Sequence, residues 1–325
     1  MINRRTLTSG LAALPLLRAR GAGAQARYPD RPVRMIVGFP AGGGVDLTAR
    51  PLAQKLSERF GQQFVVDNRG GAGGNIGMDL VAKAPADGHT LLVGNVGMLA
   101  INPALYSSLT FDTVADFAPI AQIVAVPLAV AVPADLPVRN LAEFIAMAKA
   151  RPGALNMGSG GNGGIPHLAF ELLKRRAGID VVHVPYRGSA PALQDLLGSR
   201  LQLMIDGYNL MRAAAESGRI RIIATTGRER LPALPDVPTV QESGVEGFEA
   251  VGWQGILAPA ATPAPILAQL EEAIGWALRD TDLPRAYLAQ GQLPIFQGRE
   301  AFTQTVRRER EQWTRVVREA NVSLD

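Results

Sequence analysis

The stretch Val33–Asp46, VRMIVGFPAGGGVD, decides the fold of this chain. An apolar run typical of a buried strand ends at Val37, and three glycines precede a segment whose apolar residues recur at helical spacing. Glycine permits positive φ and close approach to a guest, and the first N–H groups of the following helix are unpaired and partly positive. Strand, glycine loop and helix N-terminus together predict a loop that binds anions through backbone atoms.

A second loop of this kind, Gly158–Gly164 (GSGGNGG), lies more than a hundred residues later, again between a predicted strand and a predicted helix. It satisfies the G-x-G-x-x-G dinucleotide fingerprint, which also needs an acidic residue at the end of the next strand. Here Asp180 precedes that strand, which ends at Val184–Tyr186, and no Gly-Lys-Ser/Thr follows either loop. We therefore predict no cofactor, and two domains that each contribute half of one site.

The first 26 residues have the pattern of an export signal. Arg4 and Arg5 begin a basic start, a short apolar core follows, and the segment ends in Ala24–Ala26. Two interpretations stay open: a twin-arginine signal, favoured by Arg18 and Arg20 near the end, or an ordinary signal whose arginines form its basic start. Both predict a periplasmic protein cleaved after Ala26.

Charge and composition narrow the range of partners. The chain has 33 basic and 29 acidic residues, and removal of the predicted signal leaves 29 of each. A mature protein without net charge gives little reason to expect nucleic acid or an anionic membrane surface as partner. The remaining 299 residues suffice for two domains, and the absence of cysteine excludes disulfides and thiolate metal sites. We expect a monomer.

Strand-like and helix-like segments alternate along the whole mature chain. Predicted strands at 33–37, 64–67 and 90–94, with helices between them, give a βαβαβ order typical of a parallel sheet. A second series begins near Pro127, and the proline-rich stretch Leu231–Pro238 is expected to be irregular. A strand at 252–257 and helices at 266–278 and 302–320 are expected to return to the first sheet.

This order predicts two doubly wound α/β domains joined by a two-strand hinge, with crossings near Val126 and Ala250. The predicted domains are residues 27–126 with 250–325, and residues 127–249.

Residues suited to catalysis are few. His89, His167 and His183 are scattered without the spacing of a helical metal pair, and Ser159 lacks the G-x-S-x-G elbow because Met157 occupies the first glycine position. His167 falls in the first turn of a helix, where it either bonds a nearby loop or takes part in chemistry. We predict no catalytic residue and no metal ligand, and hence no enzyme.

Three charged residues near strand or helix ends each have two interpretations. Asp46 either caps the first long helix or belongs to the site, and Asp206 either reaches a ligand donor or begins a turn. Arg187 either contacts a ligand or is a solvated surface residue. A third glycine-rich loop, Asn68–Asn75, lies at the sheet edge where ligands collect, and it is either part of the site or, as we expect, a tight structural connection.

Several motifs occur in an order that resembles the Bug-type substrate-binding proteins of tripartite tricarboxylate transporters. They are Phe39–Gly44 (FPAGGG), Asn68-Arg69 with Gly73–Gly77 (GGNIG), Ile101–Tyr106 (INPALY), Val184–Tyr186 (VPY) and Leu234–Thr239 (LPDVPT). The similarity covers essentially the whole mature chain. It implies the fold of a type II periplasmic binding protein, and a hinged periplasmic protein that captures a small carboxylate and delivers it to a membrane permease.

The resemblance also implies how the carboxylate is held: through loop N–H groups, hydroxyls and ordered waters. Together with the loops described above, it gives the predicted ligand-binding residues, which are Phe39, Ala41, Gly42, Gly43, Val45, Asp46, Asn95, Val96, Gly97, Met98, Ser159, Gly160, Asn162, Gly163, Tyr186, Arg187, Gly188, Ser189 and Asp206.

The chain departs from the family pattern in one direction. Val45 stands where the family often has Thr, and Asn95–Met98 and Gly164–Pro166 stand where it often has hydroxyl residues. Because burying a second charge without donors is costly, these apolar groups favour a monocarboxylate with an apolar or aromatic body. Two other functions stay open: a ligand-sensing partner of a membrane signalling receptor, and an exported hydrolase or lyase.

Overall fold

The computed structural model describes residues 28–186, 188–319 and 322. The predicted signal peptide, residues 1–26, therefore lies outside the described residues, as does Arg187. The first elements are β1 (Val33–Val37), α1 (Gly44–Phe60), β2 (Phe64–Asn68), α2 (Asn75–Ala82), β3 (Thr90–Asn95) and α3 (Asn102–Leu105), with a 3₁₀ turn at Ala72–Gly74 and a π-helical turn at Gly97–Ile101.

The middle of the chain forms a second α/β series. Its elements are β4 (Phe117–Pro133), α4 (Leu141–Ala150), β5 (Asn156–Ser159), α5 (Ile165–Ala177), β6 (Val182–Pro185), α6 (Ser189–Leu197), β7 (Leu203–Gly207), α7 (Tyr208–Glu216) and β8 (Ile220–Thr225). The last part contains β9 (Val251–Pro259), α8 (Ala264–Arg279), α9 (Leu283–Ala289), β10 (Leu293–Gly298) and α10 (Arg299–Glu319).

The strands form two mixed sheets that share β4. In the first sheet β2, β1 and β3 are parallel, and β9 runs antiparallel to both β3 and β4, with β10 antiparallel to β4. In the second sheet β6, β5 and β7 are parallel, and both β7 and β8 run antiparallel to β4. The predicted parallel order is thus right for three strands of each sheet and wrong for the rest, because the chain leaves along β4 and returns along β9 in the opposite direction.

The shared strand changes partners within one residue. Pro127 is in register with Val251 of β9, and the next residue, Leu128, is in register with Gly207 of β7. Thr226, which is fully buried, accepts the Leu128 N–H through its hydroxyl at 2.8 Å. The two sheets are therefore connected through a short, hydrogen-bonded segment of β4 and β9.

Helices cover both faces of each sheet, as expected of an α/β fold. Helix α1 contacts α8 and α9 on one side of the first sheet. Helix α10 contacts β4 and the π-helical turn and reaches α5 of the second series, with Trp313 fully buried. No helix in the described part of the chain is both long and apolar enough to cross a membrane.

Candidate functional site

A cavity of about 570 Å³ opens between the two sheets where the glycine loops face each other. This volume is in the range of sites that enclose small molecules. The first-sheet wall consists of Phe39, Gly73, Asn95, Val96, Gly97, Asn102, Leu105 and Tyr106, and the second-sheet wall of Gly160, Asn162, Gly163, Gly164, Ile165 and Pro166. The floor is formed by the connecting strands through Val126, Leu128, Gly252, Trp253 and Gln254.

The first glycine loop is held by Asp46, in the first turn of α1. Its carboxylate accepts the Gly42 N–H at 2.9 Å, the Asn68 amide at 2.9 Å and two bonds from Arg50 at 2.8 Å. Burial opposes the charge, but these donors hold the pKa of Asp46 below its usual value. Asn68 also donates to the Phe39 carbonyl at 3.0 Å. Asp46 is thus an internal anchor that positions the loop carrying Phe39.

The second glycine loop is held from behind by buried side chains. The Ser159 hydroxyl, fully buried, donates to the Gly161 carbonyl at 2.8 Å and contacts His183 Nε2 at 2.7 Å. His167 Nδ1 accepts the Gly163 N–H at 3.0 Å. The prediction that His167 bonds a nearby loop is confirmed. The face of the loop that is opposite these side chains lines the cavity.

Seven of the predicted ligand-binding residues line the cavity: Phe39, Asn95, Val96, Gly97, Gly160, Asn162 and Gly163. Arg187 lies outside the described residues. The other predicted residues lie outside the lining, and these are Ala41, Gly42, Gly43, Val45, Asp46, Met98, Ser159, Tyr186, Gly188, Ser189 and Asp206.

Several of these residues already make contacts within the protein itself. Val45 and Met98 belong to the hydrophobic core, so their apolar character serves packing. The Gly42 and Gly43 N–H groups donate to Asp46 and to the Pro40 carbonyl, so these two donors are already used within the first loop. Sequence spacing could not reveal this internal pairing.

The strand ends of the second sheet form their own polar contacts. Tyr186 donates to Asp195 at 2.7 Å, and burial together with this partner raises the pKa of Tyr186 to about 12. Gly188 donates to the Gly160 carbonyl at 3.1 Å. Asp206 lies within β7, directly before α7, and accepts the Gly207 N–H at 2.8 Å; burial raises its pKa.

The residues of the cavity floor and some residues of its first-sheet wall were not predicted from the sequence. Asn102, Leu105 and Tyr106 lie within the INPALY motif quoted above, so the motif could have identified them. The floor residues of β4 and β9 carry no such signal, because an apolar strand residue that faces a cavity looks like one that faces the core. The segment 95–98, expected to be a loop, is the end of β3 and the start of the π-helical turn.

A larger groove, of about 820 Å³, lies along α10 and is lined by Asp112, Val114 and Ala115 and by mostly charged residues of the helix. No residue of either glycine loop reaches it. Arg310 pairs with Asp112 across it at 3.2 Å. In the described part of the chain no cluster of His, Cys, Asp or Glu has the geometry of a metal site.

We expect His183 to make the stability of the protein dependent on pH. Burial, with His167 close by, lowers its pKa to about 4. Below about pH 6.5, His183 takes up a proton in the unfolded chain but stays neutral in the folded protein. The free energy of unfolding therefore decreases as the pH falls, until about pH 4, where folded His183 takes up the proton as well. For this half-buried ring we expect a loss on the order of 1–3 kcal/mol.

Denaturant unfolding of wild type and His183→Gln between pH 4 and 7.5 measures this loss. Glutamine keeps a donor near Ser159 but does not titrate, so the wild type is expected to lose more stability than the variant on acidification. Parallel stability curves for the two proteins would show that His183 contributes no pH dependence.

Two α/β sheets connected by a short pair of strands, with a cavity between facing loops, define the class of periplasmic binding proteins. The chain belongs to the TctC family, described as the tripartite tricarboxylate transporter family receptor, whose model matches residues 48–322. The predicted fold class and the predicted resemblance are confirmed.

Relatives of known sequence and structure agree with this assignment. The chain is 38% identical over 325 residues to the UPF0065 protein in the tcbD-tcbE intergenic region of Pseudomonas sp. (strain P51), covering 100% of this chain and 96% of that protein. Among solved structures it is similar to R. palustris Rpa4515 with adipate, with TM-score 0.81, 36% identity, and coverage of 91% of this chain and 100% of that one.

Two further structures bear on the site. The periplasmic binding protein BugD is 34% identical, with TM-score 0.76 and coverage of 91% of this chain and 100% of that one. MatC (Rpa3494) from Rhodopseudomonas palustris with bound malate is 32% identical, with TM-score 0.74 and coverage of 89% and 100%.

Proposed function

We propose that this protein is a periplasmic solute-binding protein that captures a small carboxylate between its two sheets and delivers it to the membrane permease of a tripartite transporter. The cavity shared by Phe39 of the first glycine loop and Gly160–Gly164 of the second carries this proposal. It is supported by family membership and by the relatives described with adipate and with malate.

Uncharged donors are available on both walls to hold the carboxylate. Asn95 accepts the Met98 N–H through its side-chain oxygen at 2.9 Å, which leaves its NH₂ group to donate to a ligand. Asn162 is exposed on the opposite wall. Micromolar affinity corresponds to about 8 kcal/mol, and hydrogen bonds to a charged group contribute about 1.5–3 kcal/mol each. Four or five such donors reach this value before the costs of ordering and closure.

Closure follows from the position of the site. Since the donors lie on both sheets, only a form in which the walls approach each other satisfies the ligand, and binding shifts the equilibrium toward that form. The partner change of β4 between Pro127 and Leu128 supports a division into residues 27–126 with 250–325 and residues 127–249. The closed form is the one that the permease would recognise.

We further propose that the preferred ligand is a monocarboxylate with an apolar or aromatic body. Of the described residues that line the cavity, none carries a charged side chain. Val96, Leu105, Leu128, Ile165 and Trp253 give the cavity apolar surface. A second carboxylate would be buried against these groups without a charged partner, which is costly.

A thermal-shift panel tests the ligand class. Benzoate, hexanoate, adipate, malate and citrate are compared on the mature protein, and the first two are expected to give the largest stabilisation, because binding to the folded state raises Tm. A preference for citrate, malate or adipate would contradict the monocarboxylate proposal. If no acid raises Tm and native mass spectrometry of protein isolated from periplasm shows no bound acid, the proposed function is wrong.

A matched pair of variants locates the binding site. Asn95→Asp places a negative charge in the cavity wall and is expected to abolish the ligand-induced shift. Asn140→Asp makes the same chemical change at the N-cap of α4, where Asn140 accepts the Glu143 N–H at 2.9 Å and Asp caps equally well. It is expected to leave the shift unchanged. Equal shifts in both variants would place binding elsewhere.

The two alternative functions are separated by other observations. A sensing partner of a membrane receptor would share the cavity, and pull-down from membrane extract with and without ligand identifies which membrane protein recognises the closed form.

A hydrolase would need an activated nucleophile. Activation of Ser159 would require its hydroxyl to donate its hydrogen to His183. The fully buried hydroxyl instead donates to the Gly161 carbonyl.

A further inference from the structure

A chain of polar side chains lies directly behind the second glycine loop. The rings of His167 and His183 are stacked with centroids 3.7 Å apart and planes at 10°. His183 Nε2 contacts Ser159 Oγ at 2.7 Å, and His167 Nε2 faces Glu171 Oε1 at 3.7 Å. Both histidines therefore connect the loop to the body of the second sheet, and the proposed ligand donors do not include them.

The partners of each ring fix where its proton resides. The Gly163 N–H can only donate, so His167 Nδ1 must be unprotonated and its proton lies on Nε2, toward Glu171. The Ser159 hydroxyl gives its hydrogen to the Gly161 carbonyl, so His183 Nε2 donates to Ser159. The loop conformation that lines the cavity thus requires neutral His167.

We propose that His167 is a positioning residue for the ligand, and that proton uptake at its Nδ1 releases the Gly160–Gly164 loop and lowers the affinity of the site. This inference rests on the proposed function, since it concerns the same cavity. A proton on His167 Nδ1 would point at the Gly163 N–H. The hydrogen bond that Nδ1 accepts would then be lost, and two N–H donors would face each other. The loop must move, and with it the cavity-lining backbone of Gly160 and Gly163.

Charged side chains of α5 lie beside the pair of rings. Glu171, on the same helix, faces the protonated edge of His167, and Lys174 lies 3.6 Å from that carboxylate. Burial raises the pKa of Glu171, but His167, Lys174 and His183 hold it below its usual value, so its charge can stabilise an imidazolium. Since burial lowers the pKa of His183 to about 4, the second ring stays neutral above that pH.

Ligand-free NMR tests the mechanism without any assumption about the ligand. In the mature protein between pH 4.5 and 8, we expect the His167 ring nitrogens to report the Nε2–H tautomer at high pH. The Gly163 amide is expected to shift with the same midpoint as the His167 ring. An amide that does not follow the ring, or the opposite tautomer, would overturn the inference.

Ligand affinity provides the second measurement, with the acid of the panel above that gives the largest thermal shift as probe. From pH 8 to pH 5 the Kd of the wild type is expected to rise about tenfold, as linkage to one proton permits. His167→Asn places an amide oxygen where Nδ1 accepts and cannot titrate, so its Kd should stay near the high-pH value throughout.

Two further variants complete the design. His167→Ala is expected to bind weakly at every pH, and His89→Asn, which changes a histidine beside Asp30 and Asp87, should keep the wild-type profile. A wild-type Kd that is independent of pH, or an Asn variant as pH-sensitive as the wild type, would overturn the inference. If no panel acid binds and native mass spectrometry shows no bound acid, the proposed function fails, and the NMR titration still decides whether His167 positions the loop.

Discussion

Replacement of Gly160 by valine is expected to weaken carboxylate binding by more than about 100-fold, the equivalent of one or two lost hydrogen bonds to a charged group. A Cβ at this position would lie 2.6 Å from Ser189 Oγ, 2.9 Å from Ser189 N and 3.2 Å from the Gly188 carbonyl carbon. Two of these three atoms are backbone, so the loop itself must move. Because Gly160 lines the cavity, the movement displaces donors of the second wall.

Isothermal titration with the panel acid of highest affinity measures the loss. Gly198→Val is the matched control, since Gly198 is exposed at the end of α6 and a Cβ there meets only carbonyl oxygens at 3.6 and 3.8 Å. Its Kd should equal that of the wild type. Wild-type affinity in the Gly160 variant would show that the second loop does not form the binding wall.

Most helices and strands were predictable because the periodicity of apolar residues reflects the surface that each element buries. The predicted strand at 33–37 matches β1 to the residue, and the helix predicted between it and the strand at 64–67 is α1, which ends just before Gly61. Gly61 has φ 68°, a conformation that glycine adopts without a steric penalty.

Elements that contain proline were harder to predict. No strand was predicted in the segment just before Pro127, yet β4 begins at Phe117 and spans 17 residues, three of them proline. Shifts in register after Pro119 and after Gln122 show that bulges interrupt the pairing with β9 in this region, which is where a strand tolerates proline. β10 was missed for a related reason, since LPIFQG is short and contains Pro294.

Residues that line the cavity could be predicted only where they belong to a recognisable motif. Phe39, Gly160 and Gly163 were predicted from the glycine loops, because a run of glycines between a strand and a helix has few roles other than binding a ligand. The loop residues that anchor the loops could not be separated from those that line the cavity, because the bonds of Asp46 and Ser159 to residues such as Arg50, Asn68 and His183 are not visible in the sequence. Trp253 and Gln254 could not be predicted, because which residues of β9 line the cavity depends on the pairing of β9 with two other strands.

Replacement of Gly255 by valine is expected to destabilise the protein by about 3 kcal/mol, the upper part of the usual range for overpacking a core. Gly255 lies in the middle of β9, in register with Gly94 on one side and Gln122 on the other. A Cβ would lie 2.4 Å from Phe302 Cζ and 2.8 Å from the Ala121 carbonyl oxygen. Phe302 is fully buried and packs edge-on against Trp253 at 5.3 Å, so neither ring can move without disturbing the cavity floor.

A double-mutant cycle with Phe302→Ala distinguishes this steric cause from a general loss of strand stability. Phe302→Ala alone should cost about 3–5 kcal/mol through the cavity it leaves. Phe302→Ala removes the clash with the ring but leaves the contact with the Ala121 carbonyl, so the double variant should lose clearly less stability than the sum of the two single losses, a non-additivity that neighbouring residues show. Denaturant unfolding measures all four proteins, with Gly198→Val as the neutral control. If the two losses simply add, the contact with Phe302 does not explain the glycine, and the pairing of β9 with β4 near the Ala121 carbonyl becomes the remaining cause.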